Sequence, residues 1–209
     1  TPGNSNLDRV GDVEANLVPT LRLLDMCVSA GVKKIVFLSS GGSIYGDCPE
    51  IPTSELSITN PITSYGVNKL AIEKYLEIYR LQYGLNYSVI RASNPYGAFQ
   101  TAKNNQGIIG AILTACITGR PFDVWGDGSV IRDFIYVDDL VEAIIKVIST
   151  NSESRIFNIG SGTGTSLLEI INLCKEASNS NIELIFNKPR ISDVKVSVLD
   201  ISLAASQLN

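Results

Sequence analysis

Four consecutive apolar residues, Ile35-Val36-Phe37-Leu38, lie between two long stretches of helical periodicity. A short apolar run of this kind predicts a strand that is buried in a sheet. The stretch before it, residues 8–30, carries apolar residues at spacings of three and four, and Gly31 supplies a left-handed cap. Pro19 predicts a kink or a break in this helix. A helix, a short loop and a buried strand make half of a parallel αβ unit, so the predicted fold class is α/β with a parallel sheet.

The same alternation of helix and strand continues along the chain. A second long helical pattern, at about residues 63–83, ends at Gly84 and precedes a strand at 86–91. Residues 47–63 hold three prolines and no clear period, which predicts a long loop of the kind that often covers a site. Downstream, strands are predicted at 122–125, 131–137, 155–159 and 182–186, and helices at 108–118, 140–148 with Asp138 or Asp139 as its cap, 167–178 and from 200 onward.

Composition excludes several classes of protein. The 209 residues carry a formal net charge of -4, which argues against a nucleic-acid partner, since such proteins usually present a basic surface. The chain has no histidine, so a histidine-based triad is impossible, and its four cysteines show no CxxC spacing, so no metal site is predicted and the cysteines are interpreted as reduced thiols. No signal peptide or membrane span is recognisable, so the predicted location is the cytoplasm, with no membrane partner.

Tyr65 and Lys69 are four residues apart near the start of the second helical pattern and therefore share one face. A phenol with an ordinary pKa of about 10 is a poor base at neutral pH. A nearby ammonium group and the helix N-terminus both favour the phenolate, so a lowered pKa is predicted for Tyr65. The pair is interpreted as an acid/base site, and the alternative is a chance surface pair.

Three serines, Ser39, Ser40 and Ser43, follow the first predicted strand. Ligands of open α/β sheets collect at the carboxyl ends of the strands, so these hydroxyls could bind a sugar hydroxyl or the Tyr65 oxygen. The alternative is a serine-rich turn whose hydroxyls bind the local backbone.

A glycine-rich segment, residues 160–164, follows a strand and precedes a helix, as a dinucleotide-binding loop does. Its spacing is G-x-G-x-G rather than G-x-G-x-x-G, and Ser166 with Glu169 has the pattern of a capping box. The structural interpretation of this turn is therefore favoured.

Together these motifs resemble those of the extended short-chain dehydrogenase/reductase family, in particular its nucleotide-sugar epimerases of the UDP-glucose 4-epimerase type. The matching pieces cover nearly the whole chain. In order they are Asn16 in Glu14-Ala15-Asn16, Ser39-Ser40-x-x-x-Ile44-Tyr45-Gly46, Tyr65-x-x-x-Lys69, Arg91-x-x-Asn94-Pro95-Tyr96-Gly97, Gly126-Asp127-Gly128-Ser129-x-x-Arg132-Asp133-Phe134-Ile135-Tyr136-Val137-Asp138-Asp139-Leu140, Asn158-Ile159-Gly160-Ser161-Gly162 and Arg190-x-x-Asp193.

The resemblance implies a Rossmann-like doubly wound parallel sheet with a smaller α/β C-terminal substrate lobe. Residues 1–93 would form the C-terminal half of the NAD-binding domain, with later segments packing back on it, and residues 94–209 mainly the nucleotide-sugar-binding lobe. The chain begins with turn residues that follow no element, and its last helical pattern has no cap. Both ends are therefore expected to be truncated, with the first strands of the sheet lacking.

The resemblance also implies NAD as the cofactor and a nucleoside-diphosphate sugar, first of all a UDP-sugar, as the substrate. Tyr65 would take the proton of a sugar hydroxyl while NAD+ takes the hydride, and Lys69 would hold the nicotinamide ribose. Reduction of the resulting carbonyl from its other face gives epimerisation without net redox change. The further cofactor contacts implied are Asn16, Ser39 and Pro95, and the substrate contacts implied are Asn94, Arg132, Arg190 and Asp193.

The chain departs from the family pattern in three places. The strand with G-x-x-G-x-x-G is absent, so the fragment is expected to bind NAD weakly and to be inactive by itself. Gly41 stands where the family usually has a catalytic Ser or Thr, so Ser40, Ser43 or a water would take that role. Gly42 and Ser43 stand where dehydratases of the family carry an Asp-Glu pair, which disfavours dehydration.

The resulting prediction is a nucleotide-sugar epimerase, homodimeric when full length, with a role in carbohydrate metabolism and polysaccharide biosynthesis. Two alternatives stay open. One is a reductase or decarboxylase on the same scaffold, and the other is an inactive truncated fold that only binds or oligomerises.

Overall fold

The computed structural model describes residues 5–100, 107–150, 152–190 and 193–208. In chain order the helices described are α1 (Arg9–Asp12), α2 (Val18–Ser29), α3 (Gly41–Ile44), α4 (Ser64–Tyr83), α5 (Ile108–Thr118), α6 (Val137–Ser149), α7 (Leu167–Ser178) and α8 (Ser202–Gln207). The strands described are β1 (Lys34–Ser40), β2 (Asn86–Ala92), β3 (Asn94–Tyr96), β4 (Phe122–Trp125), β5 (Ile131–Tyr136), β6 (Ile156–Ile159), β7 (Gly164–Ser166), β8 (Leu184–Asn187) and β9 (Val196–Ser197).

The central sheet is parallel and has the order β1-β2-β6, which confirms the predicted α/β class. Its middle strand β2 is buried from Tyr87 to Ala92. The predicted burial of the first strand is wrong, because the residues of β1 are mostly half-buried and Leu38 is 45% exposed. The reason is that β1 pairs with β2 on one side and with no other strand that the structure describes.

Helices cover both faces of this sheet. On one face Leu24 of α2 and Leu76 of α4 pack with Val89 of β2. On the other face α6 and α8 pack on β2 and β6, where Val147 and Phe157 are fully buried. Both faces are apolar because a parallel sheet between two helical layers has no side in contact with water.

The helical pattern at 8–30 is divided by a π-helical turn, Val13–Leu17, that separates α1 from α2. Pro19 lies in the first turn of α2, where its missing N–H costs least. A proline ring clashes with the carbonyl four residues earlier, here that of Ala15 within the π turn. The break predicted from Pro19 is therefore present, and it places Asn16 in the irregular turn.

The remaining strands form two smaller sheets. In one, β5 pairs with β3 and β9 in parallel and with β7 in antiparallel orientation. In the other, β4 and β8 pair in parallel, and α5 and α7 pack together beside them through Cys116 and Ile171. The predicted boundary at residue 93 stays a prediction, although β6, from the second part, does pair with β2.

The predicted N-cap of the helix at 140–148 is wrong. This helix, α6, begins at Val137 with Tyr136 as its N-cap, so Asp138 and Asp139 lie in its first turn. There the two carboxylates stabilise the helix through the positive end of its dipole rather than by a capping hydrogen bond.

The side chain of Lys34 caps the other end of α6. Its Nζ donates to the carbonyl oxygens of Val147 at 2.6 Å, Thr150 at 3.2 Å and Ile148 at 3.3 Å. These carbonyls lack partners within the helix, and a cation at this end also interacts favourably with the helix dipole.

The variant Lys34→Met is therefore expected to lower the free energy of unfolding by about 1–2 kcal/mol, because it keeps the aliphatic stem and removes the cap. Urea denaturation followed by circular dichroism measures this change. The matched control is Lys33→Met at the exposed neighbouring position, for which a change within about 0.5 kcal/mol is expected. Equal effects of the two variants would contradict the capping role of Lys34.

Candidate active site

A cleft of about 770 Å³ opens at the carboxyl ends of β1 and β2. Its walls are formed by the ends of these strands, the start of α4, β3 and the segment around residue 190. The cleft brings together every predicted site residue except Asn16, namely Ser39, Ser40, Ser43, Tyr65, Lys69, Asn94, Pro95, Arg132, Arg190 and Asp193.

Tyr65 lies in the first turn of α4, whose N-cap Thr63 accepts a hydrogen bond from the Gly66 amide at 3.1 Å. Burial raises the pKa of Tyr65, while a hydrogen bond with Ser40 acts in the opposite direction. The predicted lowering of this pKa is therefore wrong for the chain by itself. The reason is that loss of hydration penalises the phenolate more strongly than the neighbouring groups stabilise it.

Lys69 is hydrogen-bonded to the backbone at the end of β1. Its Nζ donates to the backbone oxygen of Leu38 at 2.7 Å and lies 4.7 Å from the ring centroid of Phe37 and 5.6 Å from that of Tyr65. Burial lowers the pKa of Lys69, and the charge of Glu73 opposes this effect. The ammonium group is thus fixed at the end of β1, with donor capacity left for a ligand in the cleft.

The three serines have different partners. The Ser40 hydroxyl donates to the Ser43 hydroxyl at 3.1 Å, and its position near Tyr65 favours the phenolate form of that residue. The Ser39 hydroxyl instead donates to Glu73 Oε1 at 2.5 Å. Tyr65, Ser40 and Ser43 therefore form a chain of hydroxyls, whereas Ser39 lines the cleft with its hydroxyl already bound.

The structure explains the glycine at position 41. A Cβ atom there would lie 2.6 Å from Cδ1 of Leu199 and 3.1 Å from the backbone oxygen of Arg91. Contacts this short require movement of the Leu199 side chain and of the β2 backbone. A serine at this position is disfavoured, and the hydroxyl in contact with Tyr65 comes from Ser40.

A buried ion pair below the cleft is not among the residues that the sequence predicts for the site. Arg91 Nη2 lies 2.7 Å from Glu73 Oε2, and the two side chains are 4% and 3% exposed. Arg91 also donates to the Tyr45 hydroxyl at 2.9 Å, and this hydroxyl donates to Asn158 Oδ1 at 2.8 Å. The motif residues Tyr45, Arg91 and Asn158 thus share one buried polar network beneath Ser39.

The far end of the cleft is cationic. Arg132 is half-buried, and loss of hydration lowers its pKa, while the negative charges of Asp193 and Asp47 oppose this effect. The guanidinium carbon of Arg190 lies 4.4 Å from the ring centroid of Trp125. Trp125 is also not among the sequence-predicted residues, because a single tryptophan in a short strand carries no distinguishing pattern.

The remaining polar contact at this end orients an amide. Asn94 Nδ2 donates to the backbone oxygen of Asp133 at 3.0 Å, which leaves its side-chain oxygen as an acceptor. Pro95 is exposed and follows Asn94 in β3.

The glycine-rich turn binds a carboxylate of its own chain. Asp133, which is 1% exposed, accepts hydrogen bonds from the amide and hydroxyl of Ser161 at 2.8 Å, from the Gly162 amide at 3.2 Å and from the Leu199 amide at 3.3 Å. The predicted capping box between Ser166 and Glu169 is present. The structural interpretation of residues 160–164 is therefore confirmed.

Asn16 lies outside the main cleft. Its Nδ2 donates to the backbone oxygen of Asp12 at 2.9 Å and to Asp12 Oδ1 at 3.0 Å. Asn16 lines a second cavity of about 70 Å³, which Tyr65 and Lys69 border from the opposite side. The predicted cofactor contact is thus adjacent to the Tyr65–Lys69 pair without sharing its cleft.

The side chains of the described residues are not arranged as a metal centre. Within them, no group of three or more His, Cys, Asp or Glu side chains is placed to hold a metal ion. None of the helices in the described part of the chain has the length and apolar character needed to cross a bilayer. The chemistry available in the cleft is proton transfer through hydroxyls and binding of anions by guanidinium groups.

Comparisons with known proteins give a consistent result. A family model described as the NAD dependent epimerase/dehydratase family matches residues 1–160. The chain is 38% identical over 189 residues to UDP-glucose 4-epimerase from Mycolicibacterium smegmatis, a match that covers 90% of this chain and 60% of that protein. The chain spans 60% of the length of this relative and 66% of the length of a putative UDP-glucose 4-epimerase from Methanocaldococcus jannaschii.

Two solved structures have the same fold. UDP-glucose 4-epimerase from Thermotoga maritima with UDP-glucose has a TM-score of 0.95 and 35% identity, covering 100% of this chain and 67% of that one. UDP-glucose 4-epimerase from Thermus thermophilus in complex with NAD has a TM-score of 0.92 and 32% identity, covering 99% of this chain and 68% of that one.

Proposed function

The chain belongs to the NAD-dependent epimerase/dehydratase family, and we propose that the whole protein is a nucleotide-sugar epimerase that acts on UDP-hexoses with NAD as its cofactor. The observation that carries this proposal is the hydroxyl chain of Tyr65, Ser40 and Ser43 beside the fixed ammonium of Lys69 in one cleft. The UDP-glucose 4-epimerases among its relatives support the substrate class.

Tyr65 is the acid/base of this proposal. It takes the proton of a sugar hydroxyl and returns it after the sugar has turned, while Ser40 and Ser43 bind the same oxygen or orient the phenol. A bound NAD would supply the hydride acceptor and donor for the sugar carbon, and Lys69 and Ser39 would border its nicotinamide half. Because burial raises the pKa of Tyr65, proton transfer to it requires a positive charge close to the phenol. Lys69 supplies one such charge, 5.6 Å from the Tyr65 ring.

The residues present fit one end of NAD. Lys69, held at 2.7 Å by the Leu38 carbonyl, offers further N–H donors to ribose hydroxyls, and Pro95 and Ser39 border the same space. A pyrophosphate cradle is not found among the described residues, since the glycine-rich amides at 161 and 162 already bind Asp133. The nicotinamide half of the cofactor is therefore assigned to this cleft.

The cationic end of the cleft is assigned to the nucleotide. Arg132 and Arg190 provide two guanidinium groups for a diphosphate, and Asn94 adds an amide that can bind the same oxygens. The Trp125 ring lies against the Arg190 guanidinium and supports its position at this end. Asp193, the remaining acidic group at this end, can accept from a ribose hydroxyl.

We extend the proposal to a cytoplasmic homodimer of the whole protein with a role in polysaccharide biosynthesis. Support for the dimer comes from exposed apolar residues at spacings of three on two packed helices. Support for the cytoplasm comes from the four cysteines, all free thiols. The exposed apolar residues are Leu23 and Met26 on α2, and Ile78 and Leu81 on α4.

The experiment uses full-length protein with UDP-galactose and no added cofactor. Conversion to UDP-glucose, together with NAD released on denaturation, is the expected result, because an epimerase regenerates its own cofactor. Consumption of NADPH in proportion to a keto-sugar substrate would instead show the reductase alternative. Binding of UDP-sugars without turnover of UDP-galactose, of a keto-sugar or of a UDP-uronic acid would leave the binding-fold alternative.

A further inference from the structure

The N-terminus of the helix that carries Tyr65 is held by side chains from the start of the chain. The Ser64 amide donates to Asn6 Oδ1 at 2.9 Å, and the Tyr65 amide donates to Ser5 Oγ at 3.1 Å. The first amides of any helix lack partners within it. Here those partners come from a distant part of the sequence, so the position of Tyr65 depends on where residues 5 and 6 lie.

One carboxylate connects this N-terminus with the π-helical turn. Asp12 Oδ2 accepts from the Ser64 hydroxyl at 3.0 Å and from Asn68 Nδ2 at 2.8 Å, and Asp12 Oδ1 accepts from Asn16 Nδ2 at 3.0 Å. Asn68 is only 4% exposed and lies on α4, one turn after Ser64. Asp12 therefore ties two turns of α4 to the segment that bears Asn16.

The second cavity lies between this carboxylate and the proposed acid/base pair. Its volume of about 70 Å³ is sufficient for one or two waters, and its polar lining gives them partners. The lining residues are Asp12, Asn16, Thr20, Phe37, Tyr65, Asn68, Lys69 and Ile72.

We infer that Asp12 is a positioning residue for Tyr65: it fixes the first two turns of α4 against the π turn and presents its negative charge to the phenol across the small cavity. This inference rests on the proposed function only because that function gives Tyr65 a proton to transfer. The charge of Asp12 acts with burial to raise the pKa of Tyr65, and the hydrogen bond with Ser40 opposes both.

The other charged groups around Tyr65 differ from Asp12 in their position relative to the first turn of α4. On its own helix, Lys69 and Glu73 follow at one and two turns, and the described ends of β1 and β2 that face the cleft carry hydroxyls rather than charges. Asp12 is the acidic group that contacts the first turn of α4 directly. Across the cleft the charged side chains are Arg132, Arg190 and Asp193.

The test compares Asp12→Asn with Asp8→Asn in full-length protein. Asp8→Asn removes the same charge four residues earlier, where the carboxylate caps α1 by accepting from the Gly11 amide. Ionisation of Tyr65 is followed by NMR of ¹³Cζ-labelled tyrosine, with the Tyr65 signal assigned from Tyr65→Phe. Removing the Asp12 charge is expected to lower the Tyr65 pKa by about 0.5–1 unit, with no change for Asp8→Asn.

The same shift is expected in the pH dependence of kcat/KM, where the acid limb should move to lower pH because the phenolate becomes easier to form. Asp12→Glu should restore the wild-type titration. An unchanged Tyr65 titration in Asp12→Asn, or an equal shift in Asp8→Asn, would overturn the inference. If the wild type has no epimerase activity, the NMR titration still decides the role of Asp12 while the proposed function fails.

A second variant covers the case in which Asp12→Asn does not fold. Ser64→Ala removes one hydroxyl that donates to Asp12 and leaves the charge in place. Hydrogen exchange of the amides of residues 66–69 is expected to become about fivefold to tenfold faster. Unchanged exchange at these amides would show that Asp12 does not hold the helix.

Discussion

The variant Tyr65→Phe is expected to lower kcat of the whole protein by about 10²–10⁴-fold, the range that a positioned general acid/base contributes. The substitution removes one oxygen and keeps the ring that packs near Lys69. KM for the UDP-sugar is expected to change little, since the nucleotide end is assigned to Arg132 and Arg190. Turnover of UDP-galactose at saturating substrate, measured over a pH series, gives kcat, and a substrate series at each pH gives KM.

Tyr75→Phe is the matched control for this loss. Tyr75 lies on the same helix and is 37% exposed, so the same atom is removed away from the cleft. Its kcat is expected to stay within about twofold of wild type. Full activity of Tyr65→Phe would show that the proton is transferred to another group, for which Ser40, the hydroxyl beside Tyr65, is the first candidate.

Most elements of this fold follow from local pattern, while very short strands such as β3 and β9 do not. The parallel strands at 35–38, 86–91 and 155–159 are predicted because short segments rich in apolar residues between helical patterns are typical of buried strands. The three residues of β3 and the two of β9 have no period that a pattern could reveal. They are strands only because each of them pairs with β5.

The candidate site likewise has features that the sequence reveals and features that only the tertiary structure shows. The spacing of Tyr65 and Lys69 and the serines after β1 are visible in the sequence, and the structure brings them into one cleft. The pKa direction of Tyr65 is not predictable in this way, because it depends on burial by residues distant in sequence. The glycine at position 41 likewise depends on Leu199, a contact between opposite ends of the chain.

Buried charges are the hardest residues to recognise in a sequence. Glu73 on α4 and Arg91 on β2 have the residue types of a surface pair, and local pattern does not show that their side chains are 3% and 4% exposed. Once paired inside the protein, the two charges depend on each other. Removing one leaves the other without water and without a counter-ion.

Glu73→Ala and Arg91→Ala are therefore each expected to lower the free energy of unfolding by about 3–5 kcal/mol. The double variant Glu73→Leu with Arg91→Met leaves no unpaired charge, and it is expected to recover part of this loss. Urea denaturation of all three variants measures the effect. The control is Glu142→Ala, which breaks the exposed ion pair with Lys146 at 3.0 Å and is expected to cost about 0.5 kcal/mol or less.

The Glu73–Arg91 pair also contacts side chains near the cleft, so a loss of catalytic activity is expected as well as a loss of stability. Glu73 accepts from the Ser39 hydroxyl and Arg91 donates to the Tyr45 hydroxyl, so both contacts are lost in the double variant even where stability returns. A double variant that regains stability without regaining kcat would show that the ion pair orients the end of β1. Recovery of both would show that the ion pair serves folding alone. If Glu73→Ala and Arg91→Ala were as stable as Glu142→Ala, this result would contradict both the burial of the pair and the prediction.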